Sequence, residues 1–380
     1  MKKFLPLLAV LIIFNLTNVY GTTNFSTSTI NQDDLFAYDV EVLGDLDGDG
    51  VNDMAVGSPN DNDGGKAHGA VYILFLNSDG TVKSSQKISS TEGNFKEKLD
   101  PYDSFGRAIS NIGDFNGDGV TDIVVGAYHD DDGGINTGAV YILFLNSDGT
   151  VKSSQKISSI EGNFKGVLDS GDCWGNAISS LNDFDGDGVT DIAVGAHKNY
   201  SPGSENKRIG AVHILLLNSD GTVKSSQEIS DTEGNFDALN ENDTFGIDLA
   251  SLNDLDGDGV TDIAVGANGD SESGLLTGAV YILFLNSDGT VKSYQKISSE
   301  QSNFQLTLDD SDMFGSSVGS IGDLDGDGIT DLVVGSPGDD DTKEIIKMAI
   351  EQNQGSSRGA VYILFLNSDG TVKSSQKISS

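Results

Sequence analysis

The sequence predicts an all-β protein, a β-propeller of four-stranded antiparallel blades. Three observations predict it. One unit recurs five times at a nearly fixed period, each unit holds four short strand-like runs, and little in it shows the 3.6-residue spacing of a helix. The first aspartates of a recurring block fall at Asp45, Asp114, Asp183, Asp254 and Asp323, in steps of 69, 69, 71 and 69 residues. Nine residues before each lies an aromatic: Phe36, Phe105, Trp174, Phe245 and Phe314. From the second unit on, Gly follows it. The run GAVYILFLNSDGTVKSSQKISS at Gly69–Ser90 returns unchanged at Gly138–Ser159 and Gly359–Ser380. The copy at Gly278 differs only at Tyr294, and the copy at Gly210 carries His213, Leu216 and Glu228.

Taking the second unit as the example, the first strand is expected over Phe105 to Ile112, which alternates and has small Ala108 and Ser110. The second is DIVVGA, Asp122 to Ala127, β-branched and stopped by a Gly-containing end. The third, AVYILFL at Ala139 to Leu145, is apolar on both faces, as a strand buried between neighbouring sheets requires. Asn146-Ser147-Asp148-Gly149 makes the hairpin turn, because Asp-Gly readily takes positive φ. Thr150 to Ile157 is the polar fourth strand, whose lysines suit a sheet edge. A lone sheet of this size could not bury both faces of AVYILFL, so the units must pack on one another. The units run about 30–90, 91–159, 160–230, 231–299 and 300–380 within one domain, 22–380. They make a five-bladed ring or part of a larger one.

Residues 1–21 stand apart. Lys2 and Lys3 precede the apolar run Phe4 to Phe14, with Val19 and Gly21 placed as the small residues of a cleavage site. That layout predicts a signal peptide, with a retained N-terminal anchor as the alternative, and a secreted or surface-displayed product. The run is too short for a confident transmembrane helix, and no other stretch could span a bilayer.

The composition excludes several classes. Fifty-nine acidic against 22 basic residues give a formal charge of −37, which opposes nucleic acid and anionic membrane surfaces. One cysteine, Cys173, excludes an internal disulfide framework and a Cys-based zinc cluster. Isolated histidines without an HExxH pattern, and the absence of a GxSxG elbow or P-loop, leave no catalytic constellation.

Much of the acid falls in a loop of spacing D-x-[DN]-x-D-G-x-x-D. Its members are Asp45, Asp47, Asp49 and Asp53; Asp114, Asn116, Asp118 and Asp122; and Asp183, Asp185, Asp187 and Asp191. The last two sets are Asp254, Asp256, Asp258 and Asp262, and Asp323, Asp325, Asp327 and Asp331. Alternate carboxylates in a tight loop point at one centre, and Gly at the sixth position permits the turn. Hard, charged oxygen donors select Ca²⁺, up to five ions in all. Backbone carbonyls at the seventh position, on Val51, Val120, Val189, Val260 and Ile329, are the expected neutral ligands. An EF-hand would place Glu at position twelve between helices; here Val56, Val125, Val194, Val265 and Val334 stand there, between strands. Asn116 removes one charge, so the second site is expected to be weakest.

The run FGRAISNIGDFNGDGVTDIVVGAYHD, followed by GAVYILF, resembles the FG-GAP repeat of integrin α-subunit propellers and their prokaryotic relatives. The resemblance covers essentially all of residues 30–380. It implies an innermost Phe-Gly strand and a calcium loop joining strands one and two on the lower face. It further implies ligand recognition on the opposite face, by loops two–three and four–one. Integrin propellers have seven blades and this chain has five units; the first reads Phe36-Ala37 where Gly is expected, and the third has Trp174.

Loops two–three differ most, with lengths of 11, 11, 14, 11 and 23 residues. The last, Ser336–Arg358, holds an amphipathic run from Thr342 to Gln352, expected to be an insertion on the ring edge or a partner-binding element. Acidic tips at Asp130-Asp131-Asp132 and Asp339-Asp340-Asp341 are expected at the solvated surface, the alternative being that they bind further cations or a basic partner. The expectation is therefore a calcium-binding extracellular adhesion module for a protein or glycan ligand. An extracellular hydrolase or lyase on the same fold, or a purely structural surface module, is the alternative.

Overall fold

A computed structural model describes residues 30–31, 33–199, 208–299, 307–340 and 359–379. The expected signal segment and the Thr342–Gln352 run lie outside the described residues. Twenty strands form five four-stranded antiparallel sheets, one per repeat, and no helix occurs among the described residues. The architecture is the expected all-β propeller. In chain order, blade one holds β1 (Val40–Gly44), β2 (Asp53–Ser58), β3 (Ala70–Leu76) and β4 (Val82–Ile88). Blade two holds β5 (Ile109–Gly113), β6 (Asp122–Ala127), β7 (Ala139–Leu145) and β8 (Val151–Ser158). Blade three has β9 (Ile178–Asn182), β10 (Asp191–Ala196), β11 (Ala211–Leu217) and β12 (Val223–Ile229). Blade four has β13 (Leu249–Asn253), β14 (Asp262–Ala267), β15 (Ala279–Leu285) and β16 (Val291–Ile297). Blade five has β17 (Ser317–Gly322), β18 (Asp331–Ser336), β19 (Ala360–Leu366) and β20 (Val372–Ser379).

The described residues divide into two compact units, one within 1–192 and 215–225 and the other within 193–214 and 226–380. In the first, the apolar face of β3 and β4 (Val71, Ile73, Phe75, Ile88) packs in one core with Phe105, Ile123, Val125, Tyr141 and Leu143 of blade two. Phe105 stacks on Phe95 at 5.0 Å and meets Tyr141 edge-on at 5.6 Å. In the second unit, Val280, Ile282, Phe284 and Ile297 of blade four pack with Phe314, Leu332, Val334, Tyr362 and Leu364 of blade five. Both faces of the AVYILFL strands of blades one, two and four are therefore used, as the unbroken apolar run requires.

One boundary differs from expectation. The first strand of blade two begins at Ile109 and not at Phe105. Phe105 instead forms a parallel bridge to Gly69 of the preceding blade, and its N–H donates to the His68 carbonyl at 3.0 Å. Gly106, at φ +89, takes the left-handed conformation that stops the strand from starting earlier. A Cβ there would stand 2.4 Å from the Ala70 carbonyl oxygen. The aromatic–glycine pair is thus the joint between blades and not the start of a strand.

Candidate metal centre

The aspartate loops join the first and second strands of every blade. In the first loop, the position-nine carboxylate of Asp53 begins β2 and is buried. Its Oδ1 accepts the Leu76 N–H of β3 at 3.0 Å, and its Oδ2 accepts the Leu46 N–H at 3.0 Å. The sheet itself therefore fixes this carboxylate. Asp122, Asp191, Asp262 and Asp331 are held the same way by Leu145, Leu217, Leu285 and Leu366. Burial raises all five carboxyls, Asp122 and Asp191 to about 6 and Asp262 to about 7.

Position one is oriented by the turn. Asp45 Oδ2 accepts the Gly50 N–H at 2.8 Å, and Gly50 has φ +90, which an L side chain would resist. Asp114, Asp183, Asp254 and Asp323 accept the equivalent N–H of Gly119, Gly188, Gly259 and Gly328. In four loops, positions one, three and nine bring carboxylate oxygens within 4.8 Å of one another: Asp45, Asp47 and Asp53; Asp183, Asp185 and Asp191; Asp254, Asp256 and Asp262; Asp323, Asp325 and Asp331. Three hard anionic donors at that separation fit a divalent cation of the Ca²⁺ class.

The second loop is built differently. Asn116 Nδ2 donates to Asp122 Oδ2 at 3.1 Å, so an amide supplies internally the partner that a cation would supply. Position five is also apart from the converging set. Asp49, Asp118, Asp187, Asp258 and Asp327 each accept the position-seven N–H, on Val51, Val120, Val189, Val260 and Ile329, at 2.9–3.0 Å.

A residue that the sequence pattern alone placed at a sheet edge completes each loop. Lys83 of β4 lies 2.7 Å from Asp47 and 2.6 Å from Asp49. Lys224 pairs Asp185 and Asp187, Lys292 pairs Asp256 and Asp258, and Lys373 pairs Asp325 and Asp327. Lys152, opposite Asn116, pairs Asp118. The signal was present, since a lysine follows every acidic loop at the second position of the fourth strand.

The acidic tips are not simply solvated. Asp130 is buried, accepting the Tyr141 hydroxyl at 3.0 Å and pairing Lys156 at 2.9 Å. Asp61, Asp270 and Asp339 repeat this with Tyr72 and Lys87, Tyr281 and Lys296, and Tyr362 and Lys377. Blade three has Asn199, His213 and Glu228 at these places, with His213 buried and 3.7 Å from Glu228. Cys173 is buried, as an inert thiol should be.

At the other end of the strands from the aspartate loops, the first unit gathers residues that the repeat does not reproduce. The Arg107 guanidinium lies over the rings of Tyr38 and Tyr128, at 4.0 and 4.9 Å, and donates twice to Asn176 Oδ1. Tyr128 also stacks on His129 at 3.7 Å.

Residues 45–125, 114–194 and 254–334 match the FG-GAP-like repeat family, and 174–215 and 314–364 match the FG-GAP repeat family. Integrin alpha-PS2 of Drosophila melanogaster is 31% identical over 251 residues, covering 64% of this chain and 16% of its own length. Integrin alpha-2 of Mus musculus is 34% identical over 156 residues, 40% of this chain and 12% of its own. The chain spans less than a fifth of the length of the curated relatives it matches. Among solved structures, rhamnogalacturonan lyase YesW covers 91% of this chain and 55% of its own at 15% identity and a TM-score of 0.41, too low to bear on function. With its model matched over more than half of the sequence, the chain belongs to the FG-GAP-like repeat family, and it is similar to integrin alpha chains.

Proposed function

We propose that the chain is a calcium-stabilised extracellular binding module that presents a protein or glycan ligand site. The observation that carries this is the convergence of three carboxylates in four loops, each with its position-nine member fixed by the sheet. Asp45, Asp47 and Asp53 would hold the ion in blade one, completed by Asp49 and the Val51 carbonyl, and the matching residues would do so in blades three, four and five, with the second loop the weakest. Bound Ca²⁺ would neutralise carboxylates that otherwise repel, and so favour the closed loop by mass action. That no helix among the described residues is long and apolar enough to cross a membrane is compatible with this role.

For the ligand face, the support is the Tyr38–Arg107–Tyr128–Asn176 cluster, because a specific site must lie where the repeats differ. Calcium titration by calorimetry, followed by a protein and glycan array with and without chelator, tests the proposal. An absence of calcium binding removes the stabilising role, and array binding untouched by Arg107→Ala removes the ligand face.

A further inference from the structure

The second and third aspartate loops differ by a single chemical group. The second reads DFNGDGVTD from Asp114 to Asp122, and the third reads DFDGDGVTD from Asp183 to Asp191. The frame around that group is shared. Asp114 accepts the Gly119 N–H at 2.8 Å, as Asp183 accepts that of Gly188 at 2.9 Å. Asp122 accepts the Leu145 N–H at 2.9 Å, as Asp191 accepts that of Leu217 at 2.8 Å. In the third loop, Asp183, Asp185 and Asp191 bring carboxylate oxygens within 4.8 Å of one another. In the second, the carboxamide of Asn116 stands where Asp185 does. Hydrolysis of that amide would leave the nine residues of the third loop.

Asn116 is followed by Gly117, and an asparagine before glycine is chemically labile. With no Cβ to hinder it, the glycine nitrogen can reach the asparagine Cγ and close a five-membered ring. Nothing around this pair opposes that step. Both residues are exposed, and Gly117 has φ +76 with no atom within 4 Å of where a Cβ would sit. Its N–H has no acceptor among the described residues. The sequence holds one other such pair, Asn268-Gly269, and that pair is tied down. Gly269 is buried, and its N–H donates to the Asp243 carbonyl at 3.1 Å and to Thr244 Oγ1 at 3.0 Å. Asn268 Nδ2 donates to Ser316 Oγ at 2.9 Å.

We infer that Asn116 is a self-modification site, whose deamidation to aspartate completes the second loop as a calcium site like the third. The Gly117 nitrogen attacks Asn116 Cγ and gives up its proton, the Cγ–Nδ2 bond breaks, and ammonia leaves. Water then opens the succinimide. Attack at Cγ restores the peptide link and leaves an aspartate side chain. Attack at the backbone carbonyl gives isoaspartate, whose main chain is one carbon longer. Only the first product reproduces the third loop. Calcium binding by that product presumes that the aspartate loops hold Ca²⁺, as proposed above; the deamidation itself does not.

The test follows the freshly purified full chain in mildly alkaline buffer with chelator by peptide mass spectrometry. Asn116 should lose ammonia and gain water while Asn268 stays an amide. Asn116→Gln should block the conversion, because its ring would need six members. Anion exchange isolates the deamidated chains, and a protease that cleaves before aspartate but not before isoaspartate scores the two products. With chelator removed, calorimetry should find more calcium bound than in fresh protein, in proportion to the aspartate fraction. The proposal is overturned if Asn116 stays an amide, converts no faster than Asn268, or yields isoaspartate alone. It is equally overturned if the aspartate fraction adds no calcium while fresh protein binds it at the other loops. Fresh protein that binds no calcium at all is a different failure: it overturns the calcium reading of every loop, and with it the second half of this proposal.

Discussion

The Lys83 ammonium bridges Asp47 and Asp49, at 2.7 and 2.6 Å, inside the loop whose other carboxylates face one another. The equivalent lysine does the same in three further blades. An ammonium placed there offsets part of the repulsion among the loop carboxylates, and a divalent cation would compete with it for the same oxygens. Replacing Lys83, Lys152, Lys224, Lys292 and Lys373 with Gln should therefore tighten calcium binding by roughly threefold to tenfold. It should also lower the melting temperature of the calcium-free protein. Calorimetry and thermal unfolding in chelator check the two halves; an unchanged or weaker affinity would contradict the competition.

Asn116 makes a separate prediction. Its amide satisfies Asp122 without a cation, at 3.1 Å. Asn116→Asp removes that donor and restores a charged third ligand, so the second loop should gain calcium affinity and the fitted stoichiometry should rise. A titration indistinguishable from wild type would count against it.

Stability should also respond to pH in an unusual direction. Asp103 and Asp243, buried beside the interblade joints, are pushed up to about 7, and Asp312 to about 6, chiefly by burial. A carboxyl whose folded pKa is raised costs stability in full above that pKa, and the cost disappears below the unfolded value near 4. These three groups therefore favour the folded state progressively as pH falls from 8 to 5. In chelator, the melting temperature should rise over that range, and Asp103→Asn with Asp243→Asn should flatten the slope by roughly 3 °C. A slope unaffected by the double substitution would refute the assignment.

Blade three offers a gain of stability. Four blades bury a Tyr–Asp–Lys set, whereas the third holds His213 near Glu228 and depresses the imidazole to about 4 by burial alone. Restoring the common set with Asn199→Asp, His213→Tyr and Glu228→Lys together should stabilise the protein by about 2 kcal/mol in urea denaturation. A midpoint that stays or falls would show that blade three is tuned around its own residues.

Where sequence and structure part company, the reason is physical. DIVVGA and AVYILFL were legible as strands to the residue because their side chains face packed neighbours on both sides, and no other conformation buries them all. The aspartate loops were legible because their spacing is a coordination pattern. Phe105 was misplaced into a strand because a left-handed Gly106 redirects the chain, which alternation of residue types does not reveal. Lys83 read as an edge guard because its partners stand 36 and 34 residues away, across the sheet. Asp130 read as surface because its burial depends on Tyr141 and Lys156, brought to it only by strand pairing.

The hairpin of β3 and β4 in blade one returns unchanged as β7 and β8 in blade two and as β19 and β20 in blade five, with a consequence for how the chain finds its order. Three interchangeable hairpins carry no label saying which neighbour each should meet, so contact energy between them cannot separate correct succession from skipped or exchanged pairings. Order must then come from connector length and from features used once, such as the Arg107 guanidinium between Tyr38 and Tyr128. Such a chain is open to hairpin exchange between molecules when many fold at once. Identical parts make assembly easy, and they make it ambiguous.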